Sequence, residues 1–186
     1  MQRRYDARHM TTWRQDPQLE GRFHPQYPDD LQVMVHDGEP RRTQARPEAC
    51  WVRITGIAGT LHMPIAPADA KPPVAQNAVR WEQRTVYSGT LLNAPHQLTT
   101  VRQNDTLAFV YAPGLPHPVL VTHAYGAERS RWCITPCNAC GADQTLDPMT
   151  TMAKTRFPDA PAGSTPVAFS AFCGCGGTML LAMLAP

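Results

Sequence analysis

Apolar and polar positions alternate along this chain in short runs, and turn residues separate the runs. Leu31–His36 reads as a strand with Asp37-Gly38 as its turn. Cys50–Ile57 mixes aromatic and β-branched residues with polar ones, and Gly59–Pro64 adds a further strand. Residues 64–78 are rich in Pro and Ala, a loop by composition. Val86–Leu92 follows, broken by Asn93-Ala94-Pro95; then Asp105–Tyr111, closed by Pro113-Gly114; then Val119–Thr122. Residues 96–104 have room for one helical turn. Val167–Phe172 and Thr178–Met183 complete the set. The spacing predicts a mainly β (α+β) chain: a small antiparallel sheet or partly open barrel, then a smaller module. Trp51 and Phe109 are expected to face inward, Gly89 to allow a close backbone approach, and the Asn93 side chain to bond its own backbone.

Composition supports this outline. The 19 prolines disfavour long helices. Charged residues make up 17% and apolar residues 42%, a globular balance. No apolar run approaches the roughly 18 residues that span a bilayer, so a soluble protein is expected. Three segments follow: a proline-punctuated arm at 1–47, a β-rich domain at 48–120 and the module at 121–186. The arm interleaves Arg3, Arg4, Arg8, Arg14 and Arg22 with Tyr5, Trp13 and Phe23, and Arg41, Arg42 and Arg46 form a small basic cluster. Such a pattern grips single-stranded nucleic acid in some proteins. A net charge of +2 favours aromatics that simply pack the arm onto the body.

The chemistry concentrates in the cysteines. Cys137-Asn-Ala-Cys140-Gly141 and Cys173-Gly-Cys175-Gly-Gly177 form two close pairs, with Cys133 just upstream. Tetrahedral zinc takes two thiolates from one tight turn and two from a distant one, and Gly beside each pair suits such turns. The N-terminus lacks the apolar core of a signal peptide, which points to the cytoplasm, where thiols serve as metal ligands rather than disulfides. The expected ligands are Cys137, Cys140, Cys173 and Cys175, with Cys133 or His123 as substitutes for one of them. A cluster of buried thiols, or an iron–sulfur site, would use the same residues. With a strand on each side of the second pair, 121–186 resembles a zinc ribbon and is expected to be a zinc-ribbon-like module, although the single residue between Cys173 and Cys175 departs from the two-residue spacing of zinc ribbons. A closed four-thiolate site is structural, with no position for substrate.

The middle of the chain carries Trp51-Val52-x-Ile54, then Tyr87-x-Gly89-x-Leu91-x-Asn93-x-Pro95, then Asp105-x-Leu107-x-Phe109, about 60 residues in all. In these motifs it resembles a family of small bacterial domains of unknown function, related to the immunity proteins that neutralise secreted toxins. Asn104 stands where that family has Gly, which is tolerable because Asn also visits left-handed backbone. The family implies a protein partner and no catalytic residues.

No sequence motif marks an enzyme. The seven histidines form no paired-ligand pattern, no phosphate-binding Gly loop or nucleophile elbow is present, and Cys50 has no base nearby, which suits a buried core thiol. The sequence therefore predicts a non-catalytic, zinc-stabilised protein that binds another protein, in the manner of an immunity protein bound to its toxin. Trp13, Trp81 and Tyr87 are candidate anchors. A zinc-ribbon nucleic-acid-binding protein is the alternative.

Overall fold

The computed structural model describes residues 13–67 and 71–185. Arg3, Arg4, Arg8, Tyr5 and His9 lie outside the described residues. Strands β1 (Asp30–Val35), β2 (Glu48–Ile65), β3 (Arg80–Leu91), β4 (Thr106–Val110) and β5 (Val119–Leu120) form a closed barrel in sequential order. Neighbours pair antiparallel, and one parallel pair, Met34 with Val119, closes the ring between β1 and β5. A three-stranded sheet follows, ordered β6 (Trp132–Thr135), β8 (Thr178–Met183), β7 (Ala168–Phe172). The mainly β expectation holds.

Two cores lie side by side, and β2 and β3 serve both. In the barrel, Cys50, Val52 and Ile54 point inward and meet Leu31, Val33, Tyr87, Leu91 and Phe109. The β2–β3 register then slips between Ile54 and Gly56 and again between Ile57 and Gly59. Each slip is a bulge that re-aims the strand. Beyond them Leu61, Met63 and Val86 leave the barrel and pack with Trp132, Phe169, Met179 and Leu181. Two strands expected at 50–57 and 59–64 are therefore one bent strand. Residues 80–85, polar in sequence, extend β3 because β2 pairs along their length.

The expected segment divisions run through packed structure. β1, assigned to the arm, is a barrel strand, and Trp13 and Leu19 pack into the barrel core. The 121–186 segment shares its core with β2 and β3. Among the described residues three α-helices, α1 (Pro40–Thr43), α2 (His123–Arg129) and α3 (Met149–Arg156), and a 3-10 turn at Gln76–Ala78 lie outside the strand pattern. Thr122 caps α2 by accepting the Tyr125 N–H at 3.2 Å. α3 buries Met149, Met152 and Ala153, spaced three and four apart, against the second core. Residues 96–104 form turns and no helix.

One single-residue expectation is corrected and the others hold. Trp51 faces outward and is half-buried, because Cys50, Val52 and Ile54 take the inward face of the alternating strand. His24 stands edge-on to it, 5.1 Å between ring centroids. The Asn93 Oδ1 accepts the Trp51 backbone N–H at 2.7 Å, which ties the turn to β2, and its Nδ2 donates to the adjacent Ala94 carbonyl at 3.5 Å. Phe109 is fully buried as expected. A Cβ on Gly89 would sit 2.5 Å from Val52 Cγ1 and 2.7 Å from the Arg53 carbonyl, so only glycine fits. Asn104 does adopt left-handed backbone, φ 73°.

Candidate metal centre

The sulfurs of Cys137, Cys140, Cys173 and Cys175 all lie within 4.8 Å of one another. Zinc–sulfur bonds of about 2.3 Å in a tetrahedron place sulfurs about 3.8 Å apart. The contacts Cys137 Sγ···Cys175 Sγ (3.5 Å) and Cys140 Sγ···Cys173 Sγ (3.6 Å) are close to that spacing. Each contact joins one sulfur from each turn, and all four cysteines are free thiols.

Local sequence builds both turns. The first leaves the end of β6: Gly141 N–H donates to the Cys137 carbonyl at 2.9 Å, and Cys137 N–H donates to Ala142 at 2.8 Å. The second is the β7–β8 connection, where Gly176 N–H donates to Cys173 (3.0 Å) and Cys173 N–H donates to Gly177 (2.8 Å). Gly141 (φ 77°) and Gly176 (φ 88°) take the left-handed conformation that each tight turn needs. Asn138 fastens one turn to the other. Its N–H donates to the Thr178 carbonyl at 3.1 Å, and its Oδ1 accepts the Thr178 N–H at 2.9 Å. A Cβ on Gly177 would lie 2.5 Å from Cys137 Sγ, so the second turn seats directly against a sulfur of the first.

Backbone amides face the sulfurs. The N–H groups of Cys140 and Ala139 point at Cys137 and, with neighbouring sulfurs, pull its thiol down to about 6, a strong bias toward thiolate. The Ala142 N–H points at Cys140, but burial and the adjacent Cys175 and Cys137 sulfurs hold that thiol above its ordinary value. Burial pushes Cys173 up to about 12 despite the Cys175 N–H. Four crowded sulfurs cannot all ionise unless a cation joins them. Donor set, spacing and amide placement all fit a thiophilic divalent metal.

Cys133, the nearest sequence alternative, is not in the cluster; it packs with Val74 and Ala182. His123 is exposed at the start of α2 and outside the cluster. Cys50 is buried in the barrel, where burial raises its thiol. Of the candidate anchors, Trp13 is buried and its Nε1 donates to Asp29 at 3.0 Å. Tyr87 is buried with its hydroxyl on Asp16. Only Trp81 is available, at 47% exposure.

Sequence reading missed a buried polar group beside the first turn. Asp143 takes a bidentate pair from Arg84 on β3, at 2.9 and 2.8 Å. Burial disfavours the Arg84 charge, and the Asp143 carboxylate more than offsets it, so the guanidinium lies above its ordinary value. Gln144 accepts from the Tyr125 hydroxyl at 2.6 Å. Arg129, fully buried, donates to the Trp132 carbonyl at 2.7 Å. Among the described residues no buried side-chain nitrogen or oxygen lacks a partner. On the barrel side, a Cβ on Gly114 would lie 1.9 Å from the Cys140 carbonyl. The β4–β5 loop thus seats directly on the first cysteine turn.

The outer face of the small sheet changes character along its length. Val74, Ala66 and Val79 cover it around Cys133 and Ala182. At the cysteine end it is bare among the described residues: Phe172 is 68% and Leu180 39% exposed, and Ser170, Thr178 and Thr135 beside them are exposed too. Among the described residues no helix is long and apolar enough to cross a membrane. No protein-family model matches the chain, and neither a curated protein nor a solved structure matches it.

Proposed function

We propose that the protein is a non-catalytic, zinc-stabilised binding protein that acts on another protein through the bare cysteine end of the small sheet. The observation that carries this reading is Phe172. It is an exposed aromatic next to Cys173, on a turn that the four-sulfur site would hold rigid. A large apolar side chain on a pre-ordered surface anchors an interface at low entropic cost. When bound, zinc supplies folding free energy and no chemistry on a substrate, because four thiolates fill its shell. The likeness of Trp51-Val52-x-Ile54 and Tyr87-x-Gly89-x-Leu91 to immunity-related domains makes a toxin the partner class we favour, and cytoplasmic residence accords with thiol ligands.

Binding of single-stranded nucleic acid has less support. Arg53 is two residues from the outward Trp51, but Asp30 neutralises it, as Asp29 neutralises Arg14, through bonds of 2.6–2.9 Å. The test is affinity capture from the native lysate, with zinc measured on the same sample. One stoichiometric protein partner, lost on Phe172→Asp while zinc stays at one per chain, supports the reading. Nucleic acid as the only companion, released by salt, refutes it.

A further inference from the structure

We propose that Cys175 is the sulfur through which this chain reacts with peroxide, and that its oxidation joins the two cysteine turns through Cys137–Cys175 and Cys140–Cys173 disulfides as the metal is released. This inference rests on the four-thiolate zinc reading. Two observations carry it, and the first is access. Cys137 is buried and Cys140 and Cys173 are half-buried, while Cys175 is exposed.

The second is pairing. The 3.5 Å and 3.6 Å sulfur contacts both cross between the turns. A Cys173–Cys175 bridge, with one residue inside it, would have to twist a turn already fixed by the Gly176 N–H on Cys173 and the Cys173 N–H on Gly177.

The chemistry balances without a further reagent. The Cys175 thiolate attacks one peroxide oxygen; an S–O bond forms, the O–O bond breaks, and hydroxide leaves, giving a sulfenic acid. The Cys137 thiolate attacks that sulfur; the S–S bond forms, the S–O bond breaks, and a second hydroxide leaves. The two sulfurs have lost two electrons and the peroxide has gained them. Loss of two thiolates releases the metal. Cys140 and Cys173 repeat the sequence with a second peroxide. The two disulfides then link the same turns that the metal linked.

The experiment uses the intact, zinc-loaded chain and hydrogen peroxide. One and then two equivalents are added, free thiols are blocked with N-ethylmaleimide, and non-reduced peptides are mapped by mass spectrometry. A metallochromic indicator reads zinc. The expected result at one equivalent is a Cys137–Cys175 bridge at least tenfold more abundant than any other, with stoichiometric zinc release. Cys140–Cys173 follows at two equivalents. Predominant Cys137–Cys140 or Cys173–Cys175 bridges, or earlier oxidation of Cys50 or Cys133, overturn the proposal and leave the zinc reading intact. Protein purified without zinc overturns both.

Discussion

Asp143→Ala tests whether the second core depends on its buried ion pair. Arg84 and Asp143 are 6% and 9% exposed, and their two parallel bonds join β3 to the residue following the first cysteine turn. Removing the carboxylate leaves the Arg84 guanidinium buried. Its remaining partners are the Tyr111 carbonyl at 3.1 Å and the half-exposed Glu82 carboxylate at 4.0 Å. Stripping one member from a buried pair costs about 3–5 kcal/mol, because the survivor keeps its desolvation penalty. Glu82 can swing closer and recover part of this, which places the expectation at about 3 kcal/mol. Urea unfolding in fixed excess zinc measures it, as a lower midpoint at unchanged m-value. Arg84→Met combined with Asp143→Leu removes both charges. That double variant is expected to be more stable than either Arg84→Met or Asp143→Leu alone, with a coupling of at least about 2 kcal/mol. A loss below about 1 kcal/mol for Asp143→Ala would refute the argument, because it is the value of a solvated pair.

Other consequences follow from the same geometry. Gly177→Ala pushes a Cβ against Cys137 Sγ, so zinc affinity in a competition titration should fall about 10–100-fold, the usual effect of disturbing a site's supporting contacts. Gly114→Ala meets the Cys140 carbonyl and must hold φ 72°; the left-handed backbone alone costs about 1–2 kcal/mol, so a larger loss in urea unfolding is expected. His36 is buried and neutral, its Nε2 donating to the Leu120 carbonyl at 3.0 Å and its Nδ1 accepting the Gly38 N–H at 3.1 Å. Burial holds its pKa below the ordinary 6.5, so the unfolded chain takes the proton first. Stability is then complete above about pH 6.5 and falls as pH drops toward the lower folded value. His36→Gln should flatten that slope in unfolding curves measured from pH 7.5 to 5.5. Chelation of the metal should loosen the cysteine end while the barrel persists, seen as rapid amide exchange in 137–141 and 173–178 and continued protection in β1 and β4.

What was legible in the chain is what depends on neighbours in sequence. The two glycine-flanked cysteine pairs sit on local turns, and their positions in the sequence led to four converging sulfurs. Cys50–Ile57 and Val86–Leu92 carry their own strand alternation. What was not legible depends on distant partners. Trp51 carries the same apolar signal as Val52, and only pairing with β1 and closure of the barrel decide which of them faces in. Arg80–Thr85 is polar enough to pass for a loop, yet it is a strand because Thr60–Ile65 supplies its ladder. The run Asp143-Gln144-Thr145 is the sharpest case. By composition it is a solvated connector. It is buried because Arg84, 59 residues away, and Tyr125, 19 residues away, meet its polar groups one for one. A buried polar segment is stable only when every member is satisfied, and that depends on the fold rather than on the segment. The same condition makes the run useful at its location. It ties the first cysteine turn to β3, and Gly114 seats that turn against the β4–β5 loop, so the metal-binding end is braced by the barrel from two directions.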